Sequence, residues 1–389
     1  MEAEIDFLCK EFEEVLILTQ SNLDKNRRPI PENCSVKFIP LGLNKFDRIK
    51  ALKGIFDPLF WKERKIIKKT YKLPLNAGVL KTQLISLFQG RRLKKFYSSF
   101  LEKPDQKEVC FYSYWSDDNS IALALLRKEN TNIRCISRVH GWDVYFETTQ
   151  FNYLPYRHLI ADNLDAIYSI SEAGRDYCSE KWKVSDPSKV KLSRLGVKEQ
   201  QLLKPNSERF TLLSCSNVIP LKRVDLLVEA LSLLPESVKL DWYHFGDGSD
   251  FEKVKLMASQ KLQGKVIPHF LGRKSNSEVL EWYKEFKPNL FINVSTTEGV
   301  PVSIMEAMSF GTPVIATNVG GNGEIVNSSN GILLSANPSE EEVKNAILNM
   351  FERKENVISA YRENAFQTWR DEYNSEKNYS DFCASLLEL

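Results

Sequence analysis

Several features are missing from this chain of 389 residues, and each absence excludes a class of protein. No run of about 18 apolar residues occurs, which argues against a membrane-spanning helix. The seven cysteines are scattered without a CxxC pair, and the four histidines share no metal-ligand spacing, so neither a disulfide framework nor a zinc site is expected. The first residues, MEAEIDFLCKEFEE, lack the basic-then-apolar order of a signal peptide. We therefore expect a cytoplasmic protein with reduced thiols.

The composition is that of a folded chain with more than one domain. Hydrophobic residues make up 42% and charged residues 27%, which is enough to form a buried core. A chain of this length accommodates two domains of about 150–200 residues. The polar stretch KEQQLLKPNSER indicates a linker, so we predict domains at 1–205 and 206–357 and a helical, aromatic-rich segment at 358–389. No internal repeat or low-complexity tract occurs.

Strand and helix patterns alternate along the chain. In the second half, apolar runs suited to strands alternate with helical periodicity, and the runs are 210–216, 238–245, 266–272, 289–295 and 331–335. The first half alternates less regularly, with strands expected at 13–19, 109–115, 133–141 and 166–172, and the stretch 188–197 leads to a polar linker. Such alternation predicts an α/β fold with parallel sheets covered on both faces. Ligands of such sheets bind beyond the carboxyl ends of the strands.

One stretch, TTEGVPVSIMEAMSFGTPVIATNVGG at 296–321, combines a tight loop, a short helix and a strand. Pro301 suits the first helical turn, and the helix should run from about Val302 to about Phe310 and stop at Gly311. The amide groups of residues such as Val302 and Ser303 then suit a phosphate. Glu298 and Glu306 bracket this helix start, and carboxylates suit the hydroxyls of a sugar or ribose. The residues alone leave an ordinary capped helix with surface acids equally open.

The same stretch resembles the signature of glycosyltransferase family 4, in which two glutamates with seven residues between them occur in EGVPVSIME. SCSNVIPLKRVDLLVEAL and HFGDG resemble the donor-phosphate segment of that family and its next turn. SRVHGWDVYFE and YSISEAGRDY resemble segments of bacterial surface-polysaccharide members. The resemblance implies a retaining enzyme of GT-B fold, with two Rossmann-like domains facing a cleft and a C-terminal segment that crosses back to the first domain.

This resemblance implies a role for each matching residue. Glu306 would bind the ribose hydroxyls of the nucleotide, and Glu298 would contact the hydroxyls of the donor sugar. Lys222 would pair with the leaving diphosphate, with backbone donors from Val302 and Ser303. His140 would hydrogen-bond the transferred sugar.

Other positions carry alternatives. Gly246 and Gly248 either permit close approach to the nucleotide or form a tight turn, and Asp143 either orients His140 or caps its turn. Asn217 stands where the family commonly has an arginine, and Arg223 or a residue of the other domain could compensate. No DxD motif occurs, so we expect a metal-independent enzyme without a cofactor that uses a UDP- or GDP-linked sugar. Members of the family usually begin with a strand, and we expect that strand to be missing here, because the chain opens in what resembles the first helix.

A basic block runs from Lys45 to Lys103, with sixteen Lys or Arg residues against four Asp or Glu residues. Its cations alternate with aromatic and aliphatic residues, and they include Lys65, Lys68, Lys69, Arg91 and Arg92. This pattern is typical of helices that lie on an anionic membrane surface. A solvated helix face and nucleic-acid binding are alternatives, and a lipid-linked acceptor makes the membrane the better choice.

We therefore predict a hexosyltransferase that moves a sugar from a nucleotide-sugar to an acceptor hydroxyl in the synthesis of lipopolysaccharide, capsule or exopolysaccharide. The acceptor would be lipid-linked or an oligosaccharide, and nucleic acid would not be a partner. An inactive or truncated paralogue and a sugar-nucleotide epimerase on the same fold are the alternatives.

Overall fold

The computed structural model describes residues 2–20, 29–39, 42–101, 108–205, 209–262 and 264–389. The chain forms two compact units. The first contains the residues up to Ser193 together with Tyr379–Leu389, and the second is Arg194–Asn378. The change of unit therefore precedes the position near residue 205 at which we placed the domain boundary. Part of the predicted linker, 206–208, lies outside the described residues.

The first unit contains two separate parallel sheets. Its strands are β1 Val15–Thr19, β2 Cys34–Phe38, β3 Cys110–Ser113, β4 Arg134–Val139, β5 Ala166–Ser169 and β6 Val190–Leu192. Its helices are α1 Glu2–Glu11, α2 Lys45–Lys50, α3 Pro58–Lys69, α4 Ala77–Ser98, α5 Asp118–Glu129, α6 Arg157–Asn163 and α7 Glu172–Lys181. Strands β1 and β2 pair with each other, and β3, β4, β5 and β6 form the other sheet in that order. Strand β2 was not predicted, because CSVKF carries only a weak apolar pattern.

Helix α5 forms the centre of the first unit. Seven consecutive residues, 120–126, are buried, which means that this helix is covered on all sides. The long helix α4 packs against it and against the 3₁₀ segment Ala51–Phe56. The near-continuous apolar run IALALL explains this position, because a helix that is apolar all round must be buried.

The last helix, α15 (Ser375–Leu387), has residues in both units. In the first unit, the Phe382 ring lies 4.1 Å from the Arg138 guanidinium and meets the Tyr168 ring edge-on at 4.9 Å. Arg138 Nη1 also lies 3.0 Å from Glu4 Oε2, and neither side chain of this ion pair is exposed. Residues that follow the second unit in the sequence thus complete the core of the first.

The second unit contains one parallel sheet of six strands. The strands are β7 Phe210–Cys215, β8 Leu240–Phe245, β9 Val266–Gly272, β10 Leu290–Asn293, β11 Val314–Thr317 and β12 Gly331–Leu334. The helices are α8 Val224–Ser232, α9 Phe251–Lys261, α10 Asn276–Phe286, α11 Val302–Ser309, α12 Asn322–Ile325, α13 Glu340–Phe351 and α14 Glu355–Glu372. The strand order is β12-β11-β10-β7-β8-β9.

This order places the first strand of the unit in the middle of the sheet. The chain winds from β7 toward one edge, returns, and winds from β10 toward the other edge. Strands β7 and β10 are hydrogen-bonded neighbours, so the direction of winding changes between them. Ligands of doubly wound sheets bind at such a switch point, beyond the carboxyl ends of the strands. The predicted α/β class with two Rossmann-like units is confirmed, and the switch point indicates where to look for a site.

Candidate functional site

The loop after β10 leads into helix α11 as the sequence predicts. Pro301 has extended backbone angles and precedes the first helical residue, Val302. The helix ends at Ser309, and Gly311 then takes a φ of +72°, a left-handed conformation that glycine adopts without strain. The start of α11 therefore lies beyond the carboxyl end of β10, next to the switch point.

The start of α11 offers donors for an anion. Among the described residues, the structure gives no hydrogen-bond acceptor to the backbone N–H of Val302 or Ser303. The next amide, that of Ile304, is already bonded to the Pro301 carbonyl at 3.0 Å. Unpaired amides at the positive end of a helix bind phosphate well.

An ion pair connects the two loops that flank the switch point. Lys222 follows β7 in the short 3₁₀ segment Pro220–Lys222, and its Nζ lies 2.5 Å from Glu298 Oε1. Asn293, the last residue of β10, donates through Nδ2 to the same carboxylate oxygen at 3.1 Å. Among the described residues, the hydrogen bonds to the Glu298 carboxylate reach Oε1, which leaves Oε2 for a further donor such as a sugar hydroxyl.

Arg223 holds the same two loops together through backbone carbonyls. Its guanidinium donates to the carbonyls of Val294 at 2.6 Å and Ser295 at 3.0 Å. It also donates to the Asn337 side chain at 2.9 Å. Burial lowers the pKa of this guanidinium. Since most of its donors are engaged, the contacts favour a structural role for Arg223 over compensation for Asn217, whose side chain is exposed.

Two glycines after β8 allow neighbouring backbones to meet. Gly246 has a φ of +139°, and a Cβ atom there would lie 1.8 Å from the Ser216 carbonyl oxygen. A Cβ on Gly248 would lie 2.3 Å from the carbonyl oxygen of Val218. Contacts this close exclude every other residue type. The HFGDG turn thus fixes the loop that leads from β7 to Lys222, which explains both glycines without a nucleotide contact.

Gly320 likewise allows a close backbone contact, here with the loop that contains Glu298. A Cβ on Gly320, at a φ of +53°, would lie 1.8 Å from the Glu298 carbonyl oxygen. The amide of Gly321 donates to the Gly299 carbonyl at 2.6 Å. The two ends of the predicted stretch 296–321 therefore pack on each other, which holds Glu298 in place.

Glu306 is buried in the second turn of α11. Burial raises the pKa of this carboxyl from 4.5 to about 7, while the side-chain amide of Asn276, which donates to Oε1, opposes that rise. Asn276 is the first residue of α10. A buried carboxylate with a donor on one oxygen can accept ribose hydroxyls, as the sequence predicts for Glu306.

Tyr283 and Cys215 are both affected by the charge of the same carboxylate, and sequence reasoning missed both. The Tyr283 ring stacks on Phe310 at 4.8 Å, and its buried hydroxyl has no hydrogen-bond partner among the described residues. Burial and the nearby charge of Glu306 raise the pKa of the Cys215 thiol to about 12. The same causes, together with Cys215, raise the pKa of Tyr283. The charge of Glu306 therefore acts on both of these buried groups.

His140 follows β4 in the first unit and presents a neutral ring. Burial lowers the pKa of the imidazole to about 4, which the charge of Asp143 only partly offsets. Neither ring nitrogen has a hydrogen-bond partner among the described residues, and the ring packs on Tyr114 at 4.6 Å. A neutral imidazole offers one donor and one acceptor, which suits a sugar hydroxyl.

Asp143 holds the loop backbone instead of the imidazole. Its Oδ1 accepts from the amides of His140 at 2.9 Å and Gly141 at 3.0 Å. Its Oδ2 accepts from the amide of Ser116 at 2.9 Å. Of the two roles considered for Asp143, the contacts therefore favour the capping of this turn.

The remaining histidines have structural contacts. His244 is buried against Ser214, with 2.8 Å between the hydroxyl and Nδ1, and His269 stacks on the Tyr243 ring at 4.3 Å. His158 contacts the Lys183 carbonyl at 3.1 Å. Within the described ranges, no group of three or more His, Cys, Asp or Glu side chains is placed to hold a metal ion.

The cations predicted to face a membrane behave in two ways. Lys65, Lys68 and Lys69 are exposed on α3. Arg91 and Arg92 instead form ion pairs with Asp57 at 2.9 Å and Asp47 at 3.1 Å. These two arginines therefore join α4 to the segments before α3.

Comparison with known sequences supports a transferase. The profile of the family described as Glycosyl transferases group 1 matches residues 198–368. An uncharacterized glycosyltransferase of Methanocaldococcus jannaschii is 27% identical over 63% of this chain and 66% of its own length. The UDP-N-acetylglucosamine–peptide N-acetylglucosaminyltransferase GtfA subunit of Streptococcus agalactiae is 29% identical over 55% of this chain and 44% of its own length. The O-antigen biosynthesis glycosyltransferase WbnH of Escherichia coli is 24% identical, with coverages of 65% and 69%. The matches thus span about half to two-thirds of these relatives.

Solved structures share the fold over nearly the whole chain. A glycosyltransferase from Rickettsia africae has a TM-score of 0.63 at 17% identity and covers 97% of this chain and 99% of its own. Anabaena HepE in complex with UDP has a TM-score of 0.61 at 16% identity, with coverages of 97% and 100%. The chain therefore has the GT-B fold of glycosyltransferases, and its residues 198–368 match the group 1 family of these enzymes.

Proposed function

We propose that this chain is a retaining glycosyltransferase of family 4 that moves a sugar from a nucleotide-sugar to an acceptor hydroxyl. The observation that carries this proposal is the arrangement at the switch point of the second unit. Lys222 and Glu298 form an ion pair there, beside the unpaired amides of Val302 and Ser303 and the buried carboxyl of Glu306. A cation, a phosphate-binding helix start and two carboxylates are the groups needed to hold a nucleoside diphosphate sugar.

Each group has a distinct part in this proposal. Glu306 accepts hydrogen bonds from the ribose hydroxyls, and the first amides of α11 bind the diphosphate. Glu298 uses Oε2 for a hydroxyl of the donor sugar. Lys222 has three donors, of which Glu298 takes one, so it can also contact phosphate oxygens. As the sugar–phosphate bond breaks, negative charge grows on the leaving diphosphate, and Lys222 stabilises it.

The leaving diphosphate also helps to deprotonate the acceptor on the same face of the sugar, so the anomeric configuration is retained. The ammonium of Lys222 and the amides of α11 stabilise the negative charge that develops on the leaving diphosphate. We therefore propose that turnover is independent of a metal ion. His140 donates or accepts one hydrogen bond with a sugar hydroxyl through its unpartnered ring.

The acceptor in this proposal is a lipid-linked or oligosaccharide intermediate of cell-surface polysaccharide synthesis, and the enzyme acts in the cytoplasm at the inner face of the plasma membrane. The similarity to the O-antigen biosynthesis glycosyltransferase WbnH supports this choice. UDP is the first nucleotide to test, since the similar structure of HepE contains it. GDP-linked sugars are the second choice.

A screen of UDP- and GDP-linked sugars for slow hydrolysis, combined with calorimetric binding of UDP and GDP, tests this proposal. Lys222→Ala should lower turnover by about 10²–10³-fold, because one stabilising group aimed at developing charge has about this effect. Lys284→Ala is the matched control, since Lys284 is an exposed lysine of the same unit. NMR of the released sugar should show the donor's anomeric configuration, and about 5 mM EDTA should leave the rate unchanged.

Two outcomes would contradict the proposal. If Lys222→Ala and Glu306→Ala both kept the wild-type rate, the site would lie elsewhere. If the wild-type chain bound a nucleotide but turned over no donor, it would be a nucleotide-sugar-binding protein. The neutral, exposed Asn217 in place of an arginine gives a physical reason to include that outcome.

A further inference from the structure

A stripe of exposed apolar side chains covers one face of the segment 45–61. Its members, called the apolar stripe below, are Phe46, Ile49, Leu52, Ile55, Phe56 and Trp61. Phe46 is 73% exposed, Phe56 82% and Trp61 60%. Soluble proteins expose single large apolar residues, but contiguous apolar surfaces indicate a binding site for a partner or a membrane.

The backbone explains why these residues share a face. Helix α2 continues directly into the 3₁₀ segment Ala51–Phe56, and the side chains of residues three apart eclipse each other in a 3₁₀ helix. Phe46, Ile49, Leu52 and Ile55 follow that spacing. The opposite face carries the buried residues Asp47 and Ala51.

The inner face is anchored, so the stripe cannot simply turn inward. A Cβ on Gly54 would lie 3.1 Å from a methyl group of Leu84 in α4, which means that this backbone packs directly on that helix. Arg92 of α4 pairs with Asp47 at 3.1 Å. Trp61 donates through Nε1 to the Ile55 carbonyl at 2.8 Å, which fixes the indole next to the other members of the stripe.

The charges around the stripe select the partner. The segment from Lys45 to Lys72 contains only three acidic residues, Asp47, Asp57 and Glu63. Asp47 and Glu63 are buried, and Asp57 accepts from the Leu59 amide and pairs with Arg91. Helix α4, on which the segment packs, has no acidic residue. The exposed charges that border the stripe are therefore cations, namely Lys45, Arg48, Lys50, Lys53, Lys62 and Lys65.

We propose that the apolar stripe inserts into the headgroup region of an anionic membrane, with the bordering cations on the lipid headgroups. Large apolar side chains enter the boundary of the acyl chains, and lysines and arginines bind anionic lipids. This inference rests on the proposed function in one respect only, namely that a lipid-linked acceptor would be reached at a membrane. The binding itself needs no donor sugar, so its test and that of the transferase activity can fail separately.

The proposed membrane contact uses different residues from the contact that the sequence predicts. The basic pattern in the sequence predicts a contact through Lys65, Lys68, Lys69, Arg91 and Arg92. In the structure the two arginines are engaged in ion pairs, and the large exposed apolar groups precede most of α3. Insertion by the stripe, supported by the lysines, replaces a contact centred on the cations of α3 and α4.

The test is flotation of the full chain with phosphatidylcholine vesicles, with and without about 30% phosphatidylglycerol. We expect binding to the anionic vesicles, weakened by raising the salt concentration from about 0.05 to about 0.5 M. The double variant Phe46→Ser/Phe56→Ser should bind at least about tenfold more weakly, because two inserted aromatic rings are lost. Leu256→Ser is the matched control, since Leu256 is 60% exposed on α9 of the second unit, and it should bind as the wild type does.

Two further measurements keep the result decisive. Vesicles with brominated acyl chains should quench the tryptophan fluorescence of the wild type more than that of Trp61→Phe. This measurement leaves Phe46 and Phe56 unchanged. Sedimentation velocity without lipid would show whether the stripe joins two copies of the chain. The proposal would be overturned if the wild type did not bind anionic vesicles, or if the double variant bound them equally well. It would also be overturned if the chain formed a dimer that dissociates in the double variant while vesicle binding stays unchanged.

Discussion

Replacement of Glu306 by glutamine should make the second unit more stable and the enzyme less active. Burial raises the pKa of Glu306 from 4.5 to about 7. The folded protein thus keeps a proton on this carboxyl between those values, whereas the unfolded chain has released it. Stability must therefore fall as the pH rises through this window.

The size of the effect follows from the same pKa. One pKa unit corresponds to about 1.4 kcal/mol, so a shift from 4.5 to about 7 is worth about 3 kcal/mol once the pH exceeds 7. Glutamine carries no charge at any pH and avoids this cost. Between about pH 5 and about pH 8.5, the stability of Glu306→Gln relative to the wild type should rise by about 2–3 kcal/mol.

Urea unfolding of both proteins at the two pH values measures this difference, and the other titrating groups cancel in the comparison. Glu285→Gln is the control, because Glu285 is exposed on α10 of the same unit. The affinity of the glutamine variant for UDP should fall about 10–100-fold, because hydrogen bonds to a charged acceptor are worth about 1.5–3 kcal/mol. A stability difference that does not change with pH would refute the reasoning about burial.

Three further predictions concern Asn276, Gly246 and the ion pair of Arg138 with Glu4. Asn276→Ala removes the donor that lowers the pKa of Glu306, so more of this carboxyl should be protonated at about pH 7. UDP binding measured by calorimetry should therefore weaken at about pH 7 and recover at about pH 8.5. Equal losses of affinity at both pH values would contradict this. Gly246→Ala should lower the free energy of unfolding in urea by more than about 3 kcal/mol, because its Cβ would meet the Ser216 carbonyl. Gly272 has a φ of +67° but lies in open space, so Gly272→Ala should lower it by only about 1 kcal/mol. Arg138→Met should destabilise the first unit by about 3–5 kcal/mol because it leaves Glu4 buried without its partner, and Glu4→Leu combined with it should cost less than the sum of the two single changes.

The local structure around the glutamates was predictable because it depends on neighbours in the sequence. Pro301 before the helix and Gly311 after it mark α11 in the sequence, and the structure confirms both ends to within a residue. The alternation of strands and helices likewise identified the parallel sheets. These features follow from local turn chemistry and hydrophobic periodicity.

The contacts within the site depend on the strand order and could not be predicted in the same way. Lys222 and Glu298 are 76 residues apart and meet only because β7 and β10 are neighbours in the sheet. Asn276 carried only the signal of an ordinary capped helix. Nothing in the sequence around Arg223 shows that its guanidinium would bind backbone carbonyls.

The composition of the first unit affects the order in which the protein can be completed during synthesis. Residues Tyr379–Leu389 belong to this unit, and Phe382 covers the buried Arg138. The ribosome makes these residues only after the whole of the second unit. The unit that is translated first is therefore finished last, and until then the charge of Arg138 lacks part of its cover. A chaperone that holds the nascent first unit, or a tag that hinders α15 from docking, should alter the yield of folded protein more than similar changes in the second unit.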